Sequence, residues 1–192
     1  MLNTTISIDR RSFLATALSA LMLVAFAAPS KAELPGALQA EVNRYKTQLN
    51  KWAQDKEVIA AVKRANESPE GPVPGMTGAK WIELTDADPQ VSGLINSSMA
   101  QKLKGWESAH KQALGKLYLR NKDGFLVAGT NKALLYNNKA TPVYKNSLGS
   151  TPWAANEIKP DTTTQIGGVH VSAPVKDGGK TIGFIHTSVI AK

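Results

Sequence analysis

The sequence predicts an α+β fold in which a small antiparallel sheet carries a long helix on one face and a lid on the other. Three observations lead there. Lys116–Thr130 and Gly168–Val189 each contain two apolar, β-branched or aromatic runs joined through an Asp-Gly pair, Asp123-Gly124 and Asp177-Gly178, the strongest short-range hairpin signal. Leu38, Val42, Tyr45, Leu49, Trp52, Val58, Ile59 and Val62 recur at helical spacing; a stripe that long needs a broad partner, such as a sheet face, to cover it. Between the hairpins lies an aromatic-bearing stretch with no clean period, suited to a lid.

Composition narrows the class. The 192 residues allow one ordinary domain, and 42% hydrophobic content is that of a globular protein. There is no cysteine, which excludes disulfides, thiolate metal sites, lipid attachment at cysteine and a thiol nucleophile. Asp9-Arg10-Arg11-Ser12-Phe13-Leu14, an apolar run over 15–28 and Ser30-Lys31-Ala32 have the layout of a cleaved secretory signal over residues 1–32, twin-arginine-like in its paired arginines. The apolar run is shorter than the roughly 20 residues of a spanning helix. Residues 33–192 are then expected as a single exported domain in the bacterial periplasm, with no membrane insertion after cleavage. The formal charge of +8 falls to +6 once Arg10, Arg11, Lys31 and Asp9 are removed. That excess of cations fits anionic ligands, envelope polymers or an acidic partner. It does not make a nucleic-acid binder, because the lysines are scattered and no recognition motif is present.

In chain order, residues 33–66 read as one helix or two collinear ones, with Pro35 and Gly36 at the front where a helix tolerates them. Pro69, Gly71, Pro72, Pro74, Gly75 and Gly78 make 67–78 a loop. Trp81, Ile82 and Leu84 begin a packed segment, Thr85–Pro89 reads as a helix start, and Val91, Leu94, Ile95, Met99, Leu103 and Trp106 continue at helical spacing. Gly105 is the expected break. In the first hairpin Leu117 and Leu119 point to one face, Tyr118 and Arg120 to the other. Phe125–Ala128 is apolar on both faces, so an interior strand is expected there. Residues 130–158 read as short helices and loops with a brief edge strand, 161–164 as a polar loop, and 165–189 as the second hairpin.

Candidate ligand contacts follow from this layout. Arg120 can fork onto a carboxylate, and Tyr118 shares its face. Tyr136, Tyr144 and Trp153 can wall a cleft beneath the lid. His170 and His186 stand directly opposite one another if the second hairpin has a three-residue loop at 177–179, and on opposite faces if the loop has two residues. No third ligand accompanies them, so no metal site is expected. Ser172, His170 and Asp177 do not make a triad, since Ser172 and His170 sit two apart on one strand. With no phosphate-cradling glycine loop and no His-Glu-x-x-His, no catalytic residues and no cofactor are expected, and an enzyme is not.

Three stretches in sequence resemble the Cache (PDC, extracellular PAS-like) sensor domains of bacteria. They are Asp55–Asn66, Leu117–Gly124 with its Asp-x-x-Gly-type turn, and Val171–Gly183 with its Pro-Val-x-Asp-x-Gly-Lys-x-Ile-Gly-type hairpin. The resemblance implies a long N-terminal helix packed on a five- or six-stranded antiparallel sheet, with a small ligand on the opposite face under a helical and loop lid. It is nearest to exported stand-alone forms, in which a signal passes to a separate membrane receptor or sensor kinase. Asp161 matches the acidic residue that holds a ligand amine in the family's amino-acid binders. The Arg-x-Trp-Tyr cluster of those binders has no counterpart in the lid stretch Ala133–Tyr144. The expected function is a periplasmic sensor module for a small anionic organic molecule; the alternatives are a ligand-free scaffold for protein interaction or assembly and, less supported by the residues, a cofactor carrier.

Overall fold

The computed structural model describes residues 33–161 and 165–192, together with Met1. The signal expected over residues 1–32 therefore lies, but for Met1, outside the described residues, as do Thr162–Thr164 of the polar loop. Among the described residues no helix is long and apolar enough to cross a membrane.

The first apolar stripe forms two helices, α1 (Gly36–Ala53) and α2 (Lys56–Ala65). Asp55 divides them. Its side chain accepts from the backbone N–H groups of Glu57 and Val58, satisfying two donors that a new helix start leaves open. Lys102 pairs with the same carboxylate at 2.7 Å. The stripe is interrupted but still shares one side: Val42, Tyr45, Leu49, Trp52, Val58 and Val62 are all buried. Then come α3 (Gly78–Glu83), α4 (Pro89–Ile95) and α5 (Ser98–Ala109). The expected break at Gly105 is absent, for Gly105 lies inside α5. The chain turns instead at Asn96–Ser97, where the Ser97 hydroxyl accepts from Ala100 N–H and starts the new helix. A helical glycine costs only about 1 kcal/mol relative to alanine, which burial of Met99, Ala100 and Leu103 outweighs.

The remaining elements are β1 (Tyr118–Asn121), β2 (Leu126–Gly129), α6 (Pro142–Ser147), β3 (Trp153–Ala154), β4 (Lys159–Pro160), β5 (Gly167–Asp177) and β6 (Lys180–Ile190). The six strands form one antiparallel sheet in the order β2-β1-β6-β5-β3, with β4 also on β5. This is the α+β architecture that the Cache resemblance implies. It corrects one expectation: Phe125–Ala128 is not an interior strand, since β2 is at the sheet edge. An edge strand is apolar on both sides when both of its faces are covered. Its outer side is closed in part by a bridge from Phe125 to Asn137 and a bond from Leu126 N–H to the Tyr136 carbonyl (2.8 Å).

Two cores cover the sheet unequally. On one face Leu117, Leu119, Val171, Ala173, Val175, Ile185 and Val189 meet α1, α2 and α5 in a continuous apolar layer. On the other, a smaller cluster of Trp81, Val91, Leu94, Ile95, Leu126, Ala133 and Tyr136 covers the β2 end alone. The rest of that face is left for the lid.

The second hairpin resolves the histidine register in a way neither loop length predicts. Gly178 and Gly179 form a two-residue turn with φ of +56° and +85°, a geometry glycine adopts without a Cβ penalty. A bulge between Val175 and Lys176 then shifts the pairing by one, so that His170 faces Ser188 and His186 faces Ser172. The bulge restores the parity that the short turn would have reversed. His170 and His186 therefore share a face, offset diagonally rather than directly opposite. Tyr118 pairs with His186 and Arg120 with Phe184, which puts all four polar candidates on the lid side.

Candidate functional site

Alternation along three adjacent strands builds the floor of a cleft. Tyr118 and Arg120 of β1, His186 of β6 and His170 of β5 project from the sheet, and Trp153 of β3, paired with Ser172, adds a wall. The lid contributes Leu134, Leu135 and Asn138 from the loop before α6, and Pro142 and Val143 from α6 itself. Lys159, Pro160 and Asp161 close the far end. The cleft has a volume of about 680 Å³, within the range of small-molecule sites. Leu134 is 65% exposed at the rim.

Arg120 dominates the floor. It is 3% exposed and has no carboxylate partner among the described residues. Nε donates to His186 Nε2 (3.0 Å), Nη1 to the carbonyls of Gly124 (2.9 Å) and Tyr136 (3.1 Å), and Nη2 to the carbonyl of Leu135 (3.1 Å). Asn138, with its amide oriented to satisfy both ends, donates to Gly124 O (3.1 Å) and accepts from Arg120 Nε (3.2 Å). Four of the five guanidinium N–H groups are thus engaged. The expected fork onto a ligand carboxylate is not free; it is spent on lid and turn carbonyls, which ties residues 135–136 to the sheet. Burial brings the Arg120 pKa down to about 10, which leaves the side chain cationic at neutral pH.

The two histidines are held neutral. Burial first, then Arg120 and His170, push His186 well below its ordinary pKa. His170 is lowered by burial and by the Lys159 ammonium, against Asp161 and the Thr187 backbone. His170 Nδ1 is buried with no hydrogen-bond partner among the described residues. Tyr118 donates its hydroxyl to Asn131 Oδ1 (2.7 Å), and burial raises its pKa. Lys159 pairs with Glu157 at 2.9 Å.

Two expected cleft residues lie elsewhere. Tyr136 is 1% exposed in the smaller core; its hydroxyl, 2.9 Å from Val73 N, accepts from that N–H, and only its carbonyl reaches Arg120. Tyr144 stacks edge-on against Phe184 and donates to the Lys122 carbonyl (3.0 Å). Both serve packing, because each ring has a closer apolar partner than the cleft. Trp153, Asp161, His170, His186, Tyr118 and Arg120 do come together. Asn138, Asn131 and the Ser147–Ser172 hydroxyl pair (2.7 Å) complete the polar framework. Their partners are 13 to 25 residues distant, so no local motif marks them. Among the described residues no group of three or more His, Asp or Glu is placed to hold a metal ion.

No protein-family model and no curated protein matches the sequence. Solved structures similar to this chain include the sensor domain of the histidine kinase DctB from V. cholerae, at 14% identity and TM-score 0.47 over 79% of this chain and 57% of that one. The ligand-binding domain of the Campylobacter jejuni chemoreceptor Tlp3 in complex with 4-methylisoleucine is similar at 15% identity and TM-score 0.44, over 80% of this chain and 54% of that one. That of the Pseudomonas aeruginosa amino acid chemoreceptor PctC in complex with GABA is similar at 14% identity and TM-score 0.41, over 81% and 61% respectively. The chain thus spans little more than half the length of these structures.

Proposed function

We propose that the chain is an exported, PAS-like sensor module that binds a small anionic organic molecule, catalyses no reaction, and signals through a separate membrane receptor or sensor kinase. The observation that carries this reading is the buried Arg120 on the floor of an open cleft, its charge matched by no carboxylate among the described residues. Buried cations are rare unless paired. Carbonyl dipoles and a neutral imidazole satisfy its donors but supply no opposite charge. An anion entering the cleft would supply it, and Leu134, Leu135, Pro142, Val143 and Trp153 offer apolar contact for the body of an organic ligand.

A thermal-shift screen of the purified protein against carboxylates, amino acids and purines tests the reading. A carboxylate present at 100 times its Kd should stabilise by about 2.7 kcal/mol, and Leu135→Glu at the cleft should abolish the shift. A screen flat across all three classes would sink the proposal. The exposed Leu134 favours a second reading, a ligand-free scaffold that meets another protein at the cleft rim; a flat screen combined with a partner recovered in a Leu134-dependent pull-down would support it. Mass determination of the periplasmic product tests cleavage after Ala32.

A further inference from the structure

The cleft floor contains an imidazole whose proton position is dictated by its neighbour. The Arg120 Nε–H can only donate, so His186 Nε2, 3.0 Å away, must accept with its lone pair. A neutral ring that accepts at Nε2 carries its proton on Nδ1. A doubly protonated ring would instead bring two cations into contact at a site where His186 is 8% and Arg120 3% exposed. The rings of Tyr118 and Phe184 stand 5.3 and 5.5 Å from the imidazole and restrain its plane. Its Nδ1–H has no acceptor among the described residues, and the side chain lines the cleft. The guanidinium, by contrast, has one N–H left.

We propose that His186, not Arg120, is the group that reads the ligand: its Nδ1–H, held in that tautomer by Arg120, donates to a carboxylate or carbonyl oxygen and selects acceptors over amines. This rests on the reading of the cleft as a ligand site. Arg120 is then a positioning residue that acts through the imidazole while its charge favours an anion nearby. An ammonium ligand would set donor against donor beside an unneutralised guanidinium. The other ionisable groups on this floor are Tyr118 from β1 and His170 from β5, with Lys132, Lys159, Glu157 and Asp161 around the cleft.

The test is ¹⁵N–¹H correlation of the imidazoles in the whole protein at pH 7. The sequence has three histidines, and His186→Gln identifies the relevant signals. Sodium benzoate and benzylamine then serve as matched probes of similar shape and opposite charge. The expected result is a protonated Nδ1 and an unprotonated Nε2 at His186, a displacement of the Nδ1 signal by benzoate, and at least about tenfold weaker binding of benzylamine. Arg120→Lys should mix the tautomers and reduce the preference; should that variant fail to fold, the wild-type spectrum still decides. A proton on Nε2, an imidazolium, or benzoate binding that leaves Nδ1 unmoved overturns the proposal. The two readings fail differently: benzylamine binding as tightly as benzoate removes this inference and leaves the sensor, whereas a flat thermal-shift screen removes the sensor itself.

Discussion

Two Arg–Tyr–His clusters in this molecule use the same three side chains for different ends. At the margin of the larger core Arg44 of α1 donates to the buried Tyr45 (2.8 Å), and the Tyr45 hydroxyl lies 3.3 Å from His110 Nδ1. There the cation is 59% exposed and pairs with Glu41 at 2.6 Å. On the cleft floor Arg120 and His186 are buried beside Tyr118, and no carboxylate among the described residues pairs with the guanidinium. Residue type did not decide the difference; desolvation and the missing anion did. A solvated, paired arginine is nearly neutral in stability. A buried one must be held by dipoles and stands ready for an anion.

The contrast should be sharpest in stability. Arg120→Ala leaves the Leu135 carbonyl without a donor and removes one from Gly124 and Tyr136; a loss of about 2–4 kcal/mol is expected in urea unfolding. Arg44→Ala should change stability by no more than about 0.5 kcal/mol. Equal losses at the two sites would break the comparison.

Gly183→Ala tests how firmly the floor is wedged. A Cβ there would collide with the Arg120 carbonyl and come within 2.7 Å of Val62 Cγ1. Because backbone cannot yield as a side-chain tip can, about 1–3 kcal/mol should be lost. A fully stable variant would mean that the β1–β6 contact is looser than described.

The histidines supply a pH signature. His170 and His186 both have pKa values below that of an unfolded-chain histidine, about 6.5. As pH falls the unfolded chain takes up these protons first. Stability should therefore decline below about pH 6.5, by up to ~1.4 kcal/mol per pH unit for each histidine, with no contribution from them well above it. His186→Gln should flatten this limb, and a melting series from pH 7.5 to 4.5 that shows the same slope in both proteins would contradict the assignment. A smaller effect than at Arg120 is expected at Tyr118. Tyr118→Phe removes the bond to Asn131 and should cost about 1 kcal/mol, measurable as a lowered urea midpoint.

What could be read from the sequence was whatever alternates or recurs locally. Tyr118 and Arg120 fall on one face by strand period alone, and an Asp-Gly pair marks each hairpin, although the second turns on Gly178-Gly179 with Asp177 paired to Lys180. The division into two helices was one of the two alternatives expected, but the edge position of β2 and the path through Gly105 were not readable, because each depends on which neighbour covers a surface. The histidine register turned on one bulged residue near Val175, which leaves no signal in composition. Arg120 was expected on the lid face and lines the cleft there, yet its engaged donors could not be foreseen: the carbonyls of Leu135 and Tyr136 are 15 and 16 residues away. Tyr136 and Tyr144 were misplaced for a related reason. An aromatic in a lid can turn toward a cleft or toward the core, and Val73 and Phe184 decide it here.

The packing of α1 against β5 and β6 has a consequence for when the chain can fold. A helix made of residues 36–53 buries its apolar side on strands made of residues 167–190, and closing so long a loop is entropically costly and kinetically slow. During synthesis α1 is made before these strands, so its side of the core cannot close until β5 and β6 have followed. Completion of the core is thus a late event, and any product released before β6 would leave α1, the first helix among the described residues, without its sheet partner.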